Sequence, residues 1–164
     1  MSAFTFNIAK GRAIELWRRV KVGDPATSGL VVVLLAATAL EPSSALVDHF
    51  TLADIIAAGN LEATNTGYAR KILVAVDLPA FPPPDNPQDA YLLPLPNLTW
   101  TAVQPDGTGS IGKLIVAYDP NTGGGTDAEI IPLTGHDFAV IPNGDDIVTS
   151  VDPTGFVRAG AICP

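Results

Sequence analysis

"GLVVVLLAATAL", residues Gly29 to Leu40, is the most apolar stretch of the chain, and its reading decides the fold. Twelve residues are too few to cross a bilayer as a helix, which takes about 20. "ATA" at Ala37–Ala39 resembles a small-residue cleavage site, and basic residues lie upstream. The segment before it is overlong for the basic region of an export signal. It is also broken by Gly23-Asp24-Pro25 and carries an amphipathic pattern of its own. The run opens with Val31-Val32-Val33, a β-branched cluster with turn residues on both sides. A strand covered on both faces reads this way. The stretch is therefore expected to be a core strand, and residues 1–39 are expected to remain in the mature protein.

Composition agrees with a β-rich domain. The 164 residues are long enough for one domain with a sizeable core. Hydrophobic residues make up 47% and charged residues 16%, a globular balance far from that of disordered chains. Fifteen Gly and fifteen Pro are too many for a helical bundle and indicate frequent turns between short strands. A single cysteine, Cys163, rules out an internal disulfide, so packing must supply stability, as in a reducing cytoplasm.

Charge is distributed unevenly. Residues 1–22 hold Lys10, Arg12, Arg18, Arg19 and Lys21 against Glu15 alone, a net of +4. The rest of the chain holds four cations against sixteen carboxylates, leaving −12. Such a body repels nucleic acid, whose binding rests on neutralising phosphates, and only the first segment can attract an acidic partner.

Working outward from the apolar run, "FTFNIAKGRAIELWRRVKVGDP" reads as a short strand followed by a helix. Asn7 is the expected N-cap, and Ala9, Ala13, Leu16, Trp17 and Val20 form the apolar face. Arg12, Glu15 and Arg19 share another face, and Gly23-Asp24-Pro25 ends the element. "TLADIIAAG" reads as a short helix capped by Thr51 and stopped by Gly59. Tyr68 to Leu78 reads as a strand, and the proline-rich Pro79–Pro87 as a surface connection. The second half reads as an antiparallel series: "NLTWTAV" and "IGKLIVAYD" around Asp106-Gly107, "EIIPLTGHDFAVI" and "DIVTSV" around "PNGD", then "GFVRAGAI". Turns every ten or so residues suit a sandwich or small barrel. The expected fold is thus α+β and mainly β, an antiparallel sandwich or small barrel with one N-terminal helix and one short helix. It occupies residues 1–164 as a single domain.

Catalytic patterns are weak. His136-Asp137 is the one tempting pair, but neighbours on a strand point to opposite faces, and neither Ser110 nor Ser150 sits in a nucleophile elbow. His49, His136 and Cys163 do not make a zinc set. Asp119, Asn121 and Asp127 offer oxygen ligands for calcium, but Ile130 stands where an EF-hand needs its bidentate Glu, so a flexible loop is expected. Asn97-Leu98-Thr99 fits a glycosylation acceptor, idle in a cytoplasmic setting. Trp17, Trp100 and Tyr118 are expected in the core. No enzyme activity, metal or cofactor is expected.

"FTFNIAKGRAIELWRRVKVGDPATSG", "TGYARK", "LTWTAV", "GSIGKLIVAYD", "IIPLTGHDFAVIPNGDDI" and "GFVRA" together resemble a loose group of small tailed-bacteriophage structural proteins. The likeness runs along almost the whole chain through packing and turn residues, and it carries over no catalytic residue. It implies a virion component assembled in the host cytoplasm and binding the major capsid protein or other virion subunits, with several copies together in the particle. A capsid-associated decoration or minor head protein is the first expectation, and a tail-associated adaptor or receptor-facing module the alternative. Neither nucleic acid nor membrane is an expected partner. The residues expected to meet a neighbouring subunit are Phe4, Phe6, Arg12, Arg18 and Arg19.

Overall fold

A computed structural model describes residues 3–88, 90–150 and 156–160. Its frame is a five-stranded antiparallel sheet in the order β1-β7-β6-β2-β3. The strands are β1 (Ala3–Thr5), β2 (Gly29–Ala36), β3 (Lys71–Leu73), β6 (Ile111–Asp119) and β7 (Ile131–Val140). Two short ribbons accompany it: β4 (Ala90–Leu93) with β9 (Val157–Gly160), and β5 (Leu98–Trp100) with β8 (Ile147–Thr149). The fold is α+β and mainly β. The large sheet is open, with β1 and β3 at its edges.

The apolar run is an interior strand, between β6 and the short edge strand β3. All eight residues of β2 are buried, so both faces of the sheet are covered there, as the unbroken valine and leucine sequence requires. β2 pairs along its length with β6, from Gly29 opposite Asp119 to Ala36 opposite Ile111. One continuous apolar cluster joins β2 and β6 to helix α1 (Ala13–Val22) and to Trp100, Leu93 and Phe156. Trp17, Trp100 and Tyr118 all lie within it. Each indole finds a carbonyl, Trp17 Nε1 donating to Pro94 and Trp100 Nε1 to Ala69.

Helix α1 buries Ala13, Leu16, Trp17 and Val20, the face expected from their spacing. Gly23 closes it in the left-handed conformation. The Gly23 N–H bonds back to Val20 and the Asp24 N–H to Arg19, a double closure that satisfies the final turn. Its beginning differs from expectation. Asn7 opens a separate 3-10 turn, Asn7–Ala9, and Gly11, at φ +79°, separates that turn from α1. The Asn7 side chain instead donates to Asp48 and accepts from Lys10. A short helix α2 (Ser43–Leu46) precedes α3 (Leu52–Ala57). In α3, Thr51 and Asp54 form a reciprocal capping box.

Two local expectations give way to tertiary ones. Tyr68–Leu78 is a strand only at Lys71–Leu73, because Asp77 turns back to bond the Val74 N–H and peels the chain off the edge. The Asp106-Gly107 turn does not join two paired strands, nor does the turn after Val140. β5 pairs with β8, whereas β6 pairs with β2 and β7. "GFVRAGAI" contributes β9, and its last residues lie outside the described ones, as does Cys163.

Candidate functional site

The exposed stripe of α1 is the most distinctive charged surface. Arg12, Glu15, Arg18, Arg19 and Val22 are all exposed and recur at three- and four-residue spacing, so they lie along one side of the helix. With Lys10 just before it, this stripe holds four cations and one carboxylate. Glu15 pairs with Arg19 at 3.4 Å, an exposed contact of small worth, rather than with Arg12. Among the described residues no carboxylate pairs with Arg12 or Arg18. Lys21 is used differently: its ammonium donates to the carbonyls of Ala75 and Leu78, tying the end of α1 to the turn after β3. That corner exposes Val22, Val74 and Val76, the last at 87%.

The two phenylalanines expected beside this stripe do not join it. Phe6 is fully buried in the core, with its N–H bonded to Leu133, and presents nothing to a partner. Phe4 is half-buried on edge strand β1 and lies flat over Gly135, where a Cβ would come within 2.5 Å of the ring. Lys113 sits beneath, its ammonium 5.6 Å from the Phe4 ring centroid and bonded to Asp137. Of the expected docking residues, the structure therefore assembles Arg12, Arg18 and Arg19 on one exposed stripe, and it assigns Phe6 to packing.

The candidate chemical groups are committed to structural partners. The His136 ring bonds Thr134, and burial holds its pKa below the ordinary histidine value. Asp137 bonds Lys113. Asp127, offered as a calcium ligand, binds Arg70 through both oxygens, at 2.6 and 2.9 Å, and the guanidinium holds its pKa below the usual carboxylate range. Asp119 accepts from the Asn121 N–H within its own loop. Among the described residues no three His, Cys, Asp or Glu side chains come together to hold a metal ion. No helix among them is long and apolar enough to cross a membrane.

Sequence reasoning missed two polar clusters. Arg70 also grips Glu62, and Tyr68 donates to the same carboxylate while accepting from the Leu34 N–H, so four side chains from three chain segments interlock. Burial, with Glu62 beside it, pushes the Tyr68 phenol well above its ordinary pKa, so it stays a donor. Elsewhere the buried Asn60 donates to Glu41 and accepts the Glu41 N–H, and His49 bonds the same carboxylate at 2.9 Å. His49 and the Asn60 amide hold Glu41 below the usual carboxylate range. Nothing in the spacing of these residues signals that they meet.

No protein-family model, curated protein or solved structure matches the chain.

Proposed function

We propose that this chain is a structural subunit of a tailed-phage virion, a capsid-associated decoration or minor head protein that works by protein–protein contact. The supporting observation is the α1 stripe, where Arg12 and Arg18 stand exposed and, among the described residues, pair with no carboxylate, on a chain of net charge −8. An acidic protein with abundant carboxylates of its own keeps this stripe basic, which suits a surface held out to an acidic neighbour. The motif resemblance along the chain supports the virion setting.

Two experiments test this reading. Particles washed at rising NaCl should shed the Arg12→Glu/Arg18→Glu variant well before wild type, because rim charges act within about 8 Å at physiological ionic strength and about 3 Å at 1 M. Equal retention, with an unchanged circular dichroism spectrum, removes α1 from the contact. Counting copies per particle by gel densitometry fixes the station: hundreds support the shell, and a handful move the subunit to the tail or a vertex.

A further inference from the structure

The turn Pro142-Asn143-Gly144-Asp145 holds a reactive dipeptide under the control of the fold. Of the seven asparagines only Asn143 precedes a glycine. With no Cβ on the following residue, nothing shields its amide nitrogen from the asparagine side chain. Asn143 is exposed, so water reaches it. Chain and water are all the chemistry needs. The Gly144 nitrogen bonds to Asn143 Cγ, the Cγ–Nδ2 bond breaks, and ammonia leaves with the proton that Gly144 gives up. Water then opens the cyclic imide at either carbonyl, leaving aspartate or its β-linked isomer.

Hydrogen bonds act on the two partners in opposite senses. Asn143 Oδ1 accepts the Asp145 N–H at 3.0 Å, which polarises the side-chain carbonyl toward attack. The nucleophile, by contrast, is tied down. The Gly144 N–H donates to the Val103 carbonyl at 2.8 Å, and the Val103 N–H donates back to the Asp145 carbonyl at 3.1 Å. Asn143 Nδ2 donates to the Asp145 carboxylate at 2.7 Å, which fixes the side chain. Gly144 lies at φ +96°, where a Cβ is strained, so the glycine that permits this turn is also the one that makes Asn143 reactive. The other side of the clamp is under load. Val103 is fully buried, but Ala102 before it is held at φ +53°, a costly conformation for alanine. Its N–H is held by the exposed Asp146 carboxylate, and the Gln104 N–H by the Thr66 carbonyl.

We propose that Asn143–Gly144 is a self-modification site kept closed by the Val103 clamp, and that opening of the 101–104 segment converts Asn143 irreversibly to an acid. The product cannot rebuild the turn. A carboxylate at 143 faces the Asp145 carboxylate where an amide donor stood, so a hydrogen bond becomes a repulsion between like charges. The β-linked isomer also lengthens the main chain by an atom ahead of Gly144, which shifts that N–H away from Val103. Each event adds a negative charge to a chain already at −8 and loosens the turn that feeds β8. The change runs one way, so it records that a molecule has opened, whatever particle the subunit joins.

The test holds the purified full chain at neutral pH, folded in buffer or unfolded in urea, and follows deamidation at each asparagine by peptide mass spectrometry. In urea Asn143 should react fastest of the seven. Folded, it should react at least about tenfold more slowly, because only the open fraction can close the imide. Asp146→Ala, which frees the Ala102 N–H, should raise the folded rate several-fold with circular dichroism unchanged. Wild type in urea below its unfolding transition gives the same reading without a substitution, the rate at Asn143 climbing before the global change. Asn143→Asp reproduces the product and should speed amide exchange at Gly144 and Val103 several-fold. Another asparagine reacting first in urea, or equal rates in folded and unfolded chain, overturns the site. A folded rate that neither Asp146→Ala nor mild urea moves overturns control by the clamp, and unchanged exchange in Asn143→Asp overturns its effect on the turn.

Discussion

Replacing Arg70 by methionine should cost more stability than any other single change of a charged residue described above. The guanidinium makes five hydrogen bonds, three to Glu62 and two to Asp127. Methionine keeps the aliphatic stem but leaves two carboxylates facing each other with no cation between them. Removing one partner of a fully buried ion pair costs about 3–5 kcal/mol, and losing an exposed pair costs less than about 1. Here the side chains of Arg70, Glu62 and Asp127 are 29%, 22% and 37% exposed, between those limits, so the expected loss is about 2–3 kcal/mol. With a slope of about 2 kcal/mol per molar urea, the midpoint should fall by roughly 1 M. Equilibrium urea unfolding followed by tryptophan fluorescence measures this, with Trp100 bonded next door at Ala69 as the reporter. Asp127→Asn should cost less, about 1 kcal/mol, because Glu62 still neutralises the guanidinium. Acid provides an independent check. Asp127 titrates below its ordinary value of 3.8 because of Arg70, so its contribution is complete above that pH and disappears as pH falls through the lower folded value. Wild type should therefore lose stability more steeply than Asp127→Asn below about pH 4. A loss under about 0.5 kcal/mol for Arg70→Met would refute the reasoning, because it would place the cluster in the range of screened surface pairs.

Three further outcomes follow from packing and backbone geometry. Val32→Asp should yield no soluble folded protein, since Val32 is fully buried and an unpaired buried charge costs several kcal/mol against a total of about 5–15; soluble expression with a native melting curve argues against a strand covered on both faces. Thr51→Ala should cost about 1 kcal/mol and speed amide exchange at Asp54, whose N–H the hydroxyl accepts. Gly107→Ala should cost clearly more than Gly109→Ala in urea unfolding. Both glycines have positive φ, but only at 107 would a Cβ meet backbone, 2.6 Å from Thr64.

Signals carried by neighbouring residues were legible in the sequence. β2 follows from a β-branched run, the buried face of α1 from helical spacing, and the cap of α3 from Thr51 and Asp54 three residues apart. Pairing partners were not. Asp106-Gly107 specifies a turn, but which strands meet depends on the sheet as a whole, and β5 finds β8 some fifty positions on. The Arg70 cluster drew on segments near 62, 70 and 127 with no fixed spacing. Of the residues expected to dock, the arginines were readable as one exposed stripe because a helix projects side chains at a known period. Phe6 was not, because alternation puts it on the same side as Phe4, their rings 5.0 Å apart, and which side of an edge strand meets the core is decided by the sheet as a whole.

The order of strands also sets a timetable for synthesis. Each residue of β2 pairs with one in β6 more than seventy positions downstream, and β1 pairs with β7 more than a hundred and twenty-five positions downstream. At about 5–20 residues per second, the eight apolar residues of β2 wait roughly 4–16 s after they are made before β6 exists to cover them. Within the sheet, only β6 and β7 join strands close in sequence, so that hairpin is the natural place for order to begin, and β2 is recruited to it backwards. The same valine run that centres the finished core is therefore, on the ribosome, the segment most exposed to misassociation. Rapid production of many copies would make it a substrate for chaperones until residue 119 has emerged.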